Sequence, residues 1–274
     1  MAEEERSEYL TPLQRFGVEV REIRRGRKIT QKGLGLASGY SEAYVSKVEK
    51  GVMMPSEAFA QKCDTVFQTS GLFTRLRELV QNGDNPSWFI PYLQLERKAS
   101  RILDFSATCI MGIFQTEDYA RAIFRAGHPR HSLEAVQAKV MARIARREIL
   151  ERQNPPMLWV VLHEACLRTV VGGRSVMAAQ LMHLMKSAES PCVDFQVIPF
   201  SAGAVAAHML PFTLLTFDNA PTVLYVEDPQ GGKLYQSSET MGSFSENYDR
   251  LRSHALAPDD SLEFIEKLSK DYLQ

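Results

Sequence analysis

The sequence contains little of what marks secreted, membrane-spanning or metal-binding proteins. Its four cysteines are far apart and form no CxxC pair, so neither a zinc site nor a disulfide framework is predicted. No segment reaches the roughly 18 consecutive apolar residues of a membrane span. The acidic start MAEEERSEYL is unlike the basic and then apolar start of a signal peptide, so we expect a cytoplasmic protein that does not contact a membrane.

Common cofactor and catalytic motifs are also missing. The chain has no GxGxxG, GxxxxGKS or GxSxG, so no cofactor is expected. The pair His163-Glu164 does not begin an HExxH zinc motif because residue 167 is leucine, and no metal is expected. His183 and His208 are isolated on apolar or small-residue backgrounds. We therefore expect no catalytic residues.

The composition that remains is typical of a two-domain globular protein. The chain has 274 residues, of which 45% are hydrophobic and 24% charged, and domains usually contain about 100–200 residues. The stretch QNGDNPS, at 81–87, is the clearest linker signal. The predicted organisation is a disordered tail over 1–11, a first domain over 12–83 and a second domain over 84–274.

The near-zero net charge hides an asymmetry along the chain. The segment from Pro12 to Lys62 has ten basic and five acidic residues, whereas the remainder has 22 basic and 28 acidic residues. A basic segment on an acidic remainder is expected when one end of a protein meets a polyanion. A solvated helix face explains such a charge run about as often, so charge alone leaves both interpretations open.

The first domain is predicted to be entirely helical. Apolar residues recur at helical spacing from Leu13, Thr30 and Ser41 can cap two short helices, and Gly39 fits the turn between these helices. Two further helices are predicted, one after Ser56 and one over Arg75–Val80. The fold class expected for this part is an all-α domain of five helices.

The second domain has a mixed pattern. Apolar, strand-like runs alternate with helical segments that include a long helix over Ser132–Gln153. The predicted strands are Arg101–Cys109, Met157–Leu162, Val193–Ile198, Phe212–Phe217, Val223–Val226 and Lys233–Gln236. The expected fold class is a larger α+β domain.

The segment TQKGLGLASGYSEAYVSKVEKG, at 30–51, resembles the helix-turn-helix of λ-repressor-like regulators of the xenobiotic-response-element (XRE) family. The resemblance implies a partner, double-stranded DNA. It assigns phosphate contacts to Gln31, Ser41 and Lys50, and an outward, groove-facing surface to Glu42, Ala43, Ser46 and Lys47. It also pairs Arg24 with Glu49 in a structural ion pair. Gly33 and Gly35 depart from the family pattern, and only Gly35 has an evident reason, which is close packing.

The remainder of the chain, from about Trp88, resembles the uncharacterised C-terminal domain of WhiJ-like actinobacterial regulators. The segments that carry this resemblance include FQTEDYARAIF, at 114–124, and PPMLWVVLHEACLRTVVG, at 155–172. The family implies a further partner, a small companion protein that is often encoded nearby. Ile110-Met111 stands where the family usually has Val-Pro.

These observations favour a DNA-binding transcriptional regulator that acts as a homodimer and receives a signal from the companion protein through its C-terminal domain. One alternative keeps the DNA-binding end and places a small-molecule ligand in the second domain. Another is an enzyme with an accessory helix-turn-helix. The basic helix that contains Lys139, Arg143, Arg146, Arg147 and Arg152 is interpreted as a solvated, ion-paired face rather than a second DNA contact.

Overall fold

The computed structural model describes residues 10–82, 85–206 and 209–274. Most of the predicted tail, Gly83 and Asp84 of the predicted linker, and His208 lie outside the described residues. Among the described residues, no helix is both long and apolar enough to cross a bilayer.

The α-helices are distributed over both predicted domains. They are α1 (Pro12–Gly26), α2 (Gln31–Ser38), α3 (Glu42–Glu49), α4 (Glu57–Phe67), α5 (Leu72–Asn82), α6 (Ile90–Glu96), α7 (Glu117–Gly127), α8 (Leu133–Ala145), α9 (Glu164–Arg168), α10 (Arg174–Ser187), α11 (Ser238–His254) and α12 (Pro258–Leu273). Short 3₁₀ helices occupy Gly112–Phe114, Arg146–Leu150 and Phe200–Val205.

Six strands form one mixed sheet. They are β1 (Arg101–Ser106), β2 (Met157–His163), β3 (Val193–Ile198), β4 (Phe212–Thr216), β5 (Val223–Asp228) and β6 (Gly231–Tyr235). The strand order is β3-β2-β1-β4-β5-β6; β1, β2 and β3 run parallel, and the remaining neighbours pair antiparallel. The predicted fold class, a five-helix helix-turn-helix domain followed by a larger α+β domain, is confirmed.

The chain divides into two compact units. The first comprises the described residues up to Asn85 together with His128–Ala145, and the second comprises Pro86–Gly127 and Arg146–Gln274. The first unit therefore contains α8 in addition to the five N-terminal helices. Met141 of α8 packs against the core that α1 to α5 form.

The first unit folds around a single apolar core. Side chains from all five N-terminal helices are buried in it: Leu13, Phe16, Val20, Leu34, Val45, Val48, Phe59, Ala60, Cys63, Phe67, Phe73 and Val80. Local signals set the helix starts, because the hydroxyls of Thr11, Thr30, Ser41 and Ser56 each accept a backbone N–H of the first helical turn. The Asp64 carboxylate caps α5 from a distance by accepting hydrogen bonds from the backbone N–H groups of Phe73 and Thr74, each at 2.9 Å.

In the second unit, both faces of the sheet are covered. One face packs in a cluster with Leu181 of α10 and Ile265 of α12, and the other packs against Tyr248 and Leu251 of α11. Coverage of both faces explains why β2 (MLWVVLH) is a nearly continuous apolar run, and why β3 and β4 are buried at nearly every position.

Two details differ from the sequence-based expectations. The helix predicted over Ser132–Gln153 is α-helical only to Ala145, where the chain leaves the first unit, and it continues as a 3₁₀ turn. The strand predicted over Lys233–Gln236 begins two residues earlier, at Gly231, and its hairpin turn with β5 consists of Pro229 and Gln230, since Asp228 pairs with Gly231.

Candidate nucleic-acid interface

The segment from α2 to α3 has the geometry of a helix-turn-helix. Thr30 and Ser41 cap the two helices, and their hydroxyls accept the N–H groups of Gly33 and Tyr44 at 2.9 and 3.1 Å. Gly39 ends α2 with φ of 82°, a left-handed conformation that glycine adopts without strain. The turn is therefore encoded locally.

Two glycines allow the helices of this unit to approach closely. A Cβ at Gly35 would lie 2.6 Å from the carbonyl oxygen of Tyr40, and one at Gly17 would lie 2.5 Å from that of Val48. Backbone atoms cannot move aside as a flexible side chain can, so both positions require glycine. The expected close packing at Gly35 is present, whereas a Cβ at Gly33 would meet only side-chain atoms, at 3.2 Å or more.

Helix α3 has one buried face and one exposed face. Val45 and Val48 are fully buried in the core of the first unit. Glu42, Ala43 and Lys47 are exposed, and Ser46 is half-buried. Because α3 is held only by its inner face, the opposite face is free to enter a major groove, which is about 12 Å wide.

An ion-pair network joins α1, α2 and α3. Arg24 binds the Glu49 carboxylate in a bidentate pair, with Nε–Oε1 and Nη2–Oε2 distances of 2.5 and 3.0 Å. Gln31 Nε2 donates to the same carboxylate at 2.8 Å. Burial of Glu49 opposes its ionisation, but the hydrogen bonds from Arg24 and Gln31 outweigh it and lower the pKa of Glu49 below its ordinary value. The hydrogen bond to Glu49 raises the pKa of Arg24 in turn.

The residues assigned to phosphate contacts are placed differently from one another. Lys50 and Ser41 are exposed, and the Ser41 hydroxyl accepts a capping hydrogen bond, so its own O–H remains available as a donor. One N–H of the Gln31 amide is committed to Glu49, and the other can donate to a phosphate. All three lie at or beside the ends of α2 and α3.

Arg21 is a residue of this network that the sequence analysis did not identify. Its Nη2 donates to the backbone oxygen of Glu49 at 2.5 Å, at the C-terminal end of α3. Arg21 precedes Arg24 by three residues on α1, so the two share a helix face, and that spacing was a usable signal.

The charge of the first unit suits a polyanionic partner. The segment from Leu10 to Asn82 contains twelve basic and seven acidic residues, and His128–Ala145 adds three basic residues and one acidic residue. Arg146, Arg147 and Arg152, which follow α8, are half-buried and do not form the solvated face that the sequence suggested. Arg146 binds the Glu96 carboxylate, and Arg147 donates to the backbone oxygens of Ile113 and Gln115. Arg152 donates to the backbone oxygens of Arg97, Ala99 and Ile149.

Comparison with known families agrees with this geometry. A family model described as Helix-turn-helix matches residues 20–72, and one described as Domain of unknown function (DUF5753) matches residues 89–267, which is more than half of the chain. The chain belongs to the DUF5753 family. The resemblance to an XRE-type helix-turn-helix regulator with an uncharacterised C-terminal domain is confirmed, and the match supports a DNA-binding regulator. No curated protein and no solved structure matches the chain.

Histidines that could suggest catalysis have structural surroundings in this DUF5753 protein. His163 Nδ1 accepts the N–H of Ala165 at 3.4 Å at the start of α9, and burial lowers the pKa of His163. The neighbouring Glu164 carboxylate accepts two hydrogen bonds, one from the backbone N–H of Phe200 at 2.7 Å and one from Nε of Arg168 at 2.5 Å. Burial lowers the pKa of His183 to about 4. Among the described residues, no cluster of His, Cys, Asp and Glu could hold a metal ion.

Proposed function

We propose that this DUF5753 protein is a cytoplasmic, sequence-specific transcriptional regulator, that it binds duplex DNA as a homodimer, and that its C-terminal domain responds to a small companion protein. The observation that carries DNA binding is the exposed face of α3, which presents Glu42, Ala43 and Lys47 while Val45 and Val48 anchor the helix.

Each exposed residue of α3 has a chemically suitable target on a base edge. The Glu42 carboxylate can accept a hydrogen bond from cytosine N4, the Ala43 methyl can pack on a thymine methyl group, and the Lys47 ammonium can donate to guanine O6 or N7. Ser46 is half-buried and has a smaller reach. Gln31, Ser41 and Lys50 would then hold the phosphate backbone, which orients α3 without reading sequence.

The test is DNA binding to a duplex selected from a random library, measured from 50 to 200 mM salt. With roughly four to eight phosphate contacts, affinity should fall by about 10²- to 10⁴-fold over this range. Lys47→Ala should cost about 1–3 kcal/mol on the selected duplex and relax its sequence preference.

Two further variants separate charge from base recognition. Lys62→Ala removes the same charge from an exposed site on α4 and should leave the sequence preference intact. Gln31→Ala should weaken binding to all sequences alike. Affinity that is independent of salt, or Lys47→Ala binding that equals that of the parent, would contradict the assignment.

The homodimer follows from the size of the DNA-reading surface. One α3 helix covers a half-site, and useful specificity normally requires two half-sites about 34 Å apart on one face of the duplex. Two copies of the basic first unit repel each other, so the larger unit is the better candidate for the contact. Light scattering at micromolar concentration should give a dimeric mass, and a monomer both with and without operator would refute this part of the proposal.

Exposed apolar residues support a protein partner for the second unit. Phe200 and Leu210 are 54% and 61% exposed. Phe200 follows β3 and Leu210 precedes β4, and these two strands run so that both residues lie at the same end of the sheet. An apolar surface at this end can be covered by a companion protein.

The companion should be identified by copurification from the host and then added to an operator titration of the full chain. We expect operator affinity to change by about 5- to 150-fold, which is the usual range of allosteric coupling. Phe200→Ser with Leu210→Ser should abolish the change, whereas Leu273→Ser, at an equally exposed site on α12, should not. An unchanged operator affinity would refute the regulatory role and leave DNA binding intact.

A catalytic role is not part of the proposal, because the matched helix-turn-helix points to a DNA-binding regulator. The full chain is required in every test, since a fragment that ends at Gly83 would lack α8 and its contact with the core of the first unit.

A further inference from the structure

A groove of about 480 Å³ opens in the second unit beside β2 and β3, where α11 meets α12. Its volume lies within the range of about 300–1,000 Å³ that is usual for small-molecule sites. The residues that line it are Trp159, Gln196, Asp249, Arg252, Ser253, Ala257 and Pro258. The groove combines an aromatic ring, one cation and a short apolar wall.

The floor of the groove is held rigidly by hydrogen bonds. Trp159 Nε1 donates to Gln196 Oε1 at 2.8 Å, and Gln196 Nε2 donates to the carbonyl oxygen of Leu256 at 2.8 Å. Tyr248 on α11 donates its hydroxyl to the carbonyl oxygen of Trp159 at 2.6 Å. These bonds tie α11 and the segment before α12 to the sheet, so the groove is formed without a ligand.

Arg252 is the group in the groove that still has binding capacity. Its guanidinium carbon lies 3.7 Å from the centre of the Trp159 ring, and its Nε is 3.4 Å from Gln196 Oε1. Its Nη1 is 4.0 Å from Asp249 Oδ1, beyond hydrogen-bond distance. Within the described part of the chain, neither terminal nitrogen has a hydrogen-bond partner, although only 28% of the side chain is exposed.

We propose that this groove binds a small monocarboxylate with an apolar body. A planar guanidinium stacked on an indole offers two parallel N–H donors, which match the two oxygens of a carboxylate. The side chains of Ala257 and Pro258 provide the apolar wall for the rest of the ligand.

The charge of the groove selects against more highly charged anions. Arg252 provides one positive charge, and the Asp249 carboxylate nearby is 75% exposed and negative. A monoanion can replace the loose contact of Asp249 with Arg252 charge for charge. A dianionic phosphate would bring a second negative charge that the single cation of the groove does not neutralise. The site is therefore assigned to carboxylates rather than to phosphorylated compounds.

The experiment is a titration of the full chain with benzoate, in which binding is measured by calorimetry and by ligand-observed NMR. Separate titrations use benzamide as the neutral probe and inorganic phosphate as the phosphate probe. Benzoate should bind saturably, and the neutral and the phosphate probes should bind much more weakly. Arg252→Met keeps the apolar stem over Trp159 but removes the donors, and affinity should fall about tenfold or more. Arg252→Lys, which keeps the charge but not the planar fork, should also lose most of the affinity.

Two variants with exposed side chains provide the controls. Asp249→Asn removes the competing carboxylate and should raise benzoate affinity several-fold, a gain that a damaged fold would not produce. Arg250→Met, on the exposed side of the same helix, should bind like the parent. Absence of saturable benzoate binding, equal binding of phosphate or benzamide, or no change on Arg252→Met would overturn the proposal. Because no arm contains DNA, the result is independent of the proposed regulatory function.

Discussion

Replacement of Asp104 by asparagine tests the most unusual carboxylate of the second unit. Asp104 lies in β1 at the centre of the sheet and is only 6% exposed. Its oxygens accept hydrogen bonds from Ser106 Oγ at 2.6 Å and from Thr213 Oγ1 at 2.8 Å. Burial raises the pKa of Asp104 to about 6, although these two hydrogen bonds and the charge of Arg146 favour the ionised form.

The size of the effect follows from the difference between this pKa and the ordinary value of 3.8. About two pKa units correspond to about 3 kcal/mol of differential stability. Because the pKa is higher in the folded state, the folded protein binds the proton more tightly than the unfolded chain. The stabilising contribution is complete below about pH 4 and is lost as the pH rises through about 6.

Asparagine has nearly the same shape but does not ionise, and the Ser106 and Thr213 hydroxyls can rotate to suit it. Urea unfolding from pH 4 to pH 8 should therefore show Asp104→Asn gaining about 3 kcal/mol relative to the parent as the pH rises. Asp218→Asn, at an exposed position before β5, is the matched control and should show no such trend. A stability difference that is constant with pH, or that shrinks as the pH rises, would refute the reasoning.

Two further predictions concern the first unit. Gly35→Ala should destabilise the first unit by about 1–3 kcal/mol, because the new Cβ meets the Tyr40 backbone. Gly33→Ala should be neutral or stabilise the unit by up to about 1 kcal/mol. Thermal unfolding of both variants checks the prediction, and equal melting temperatures would contradict it. Asp64→Ala should cost about 2 kcal/mol at neutral pH. Despite the opposing effect of burial, hydrogen bonds from Phe73 and its neighbours lower the pKa of Asp64, so the loss should diminish as the pH falls below the ordinary carboxyl range; a loss that grows in acid would exclude this explanation.

The helix-turn-helix could be located from the sequence because its signals are local. Thr30 and Ser41 cap helices that begin at the next residue, and Gly39 supplies a left-handed conformation between them. The apolar spacing of Val45 and Val48 correctly identified the buried face of α3. Interactions between residues close in sequence do not depend on the rest of the fold, so pattern and chemistry were sufficient there.

The position of α8 could not be predicted in this way. Its apolar periodicity indicates that the helix has a face to bury but does not say which core will receive that face. In the structure, Met141 packs in the first unit, although the chain on either side of His128–Ala145 belongs to the second. The end of α8 at Ala145 coincides with the return of the chain to the second unit, and no glycine or proline marks it in the sequence.

The arginines after α8 show the same limit for charged residues. Their alternation with Glu148 and Glu151 indicated a solvated, ion-paired helix face. Instead, the Arg146 side chain is only 11% exposed and pairs with the buried Glu96, with Nη2–Oε1 at 2.6 Å. Its guanidinium also lies near the rings of Phe89 and Tyr92. A charge taken out of water requires a partner that neutralises it. Here that partner is Glu96, which lies 50 residues away in the chain, so the local pattern did not contain it.

The sequence by itself determined the helix caps, the turn at Gly39, the outward face of α3 and the class of each domain, because short-range hydrogen bonding and apolar spacing specify these features. The tertiary structure alone decided the inclusion of α8 in the first unit, the pairing of Arg146 with Glu96, the burial of Asp104, and the convergence of Trp159 and Arg252 at one groove. Each of these joins residues that are far apart in the chain. Their energies depend on burial and on partners that exist only once the chain has folded.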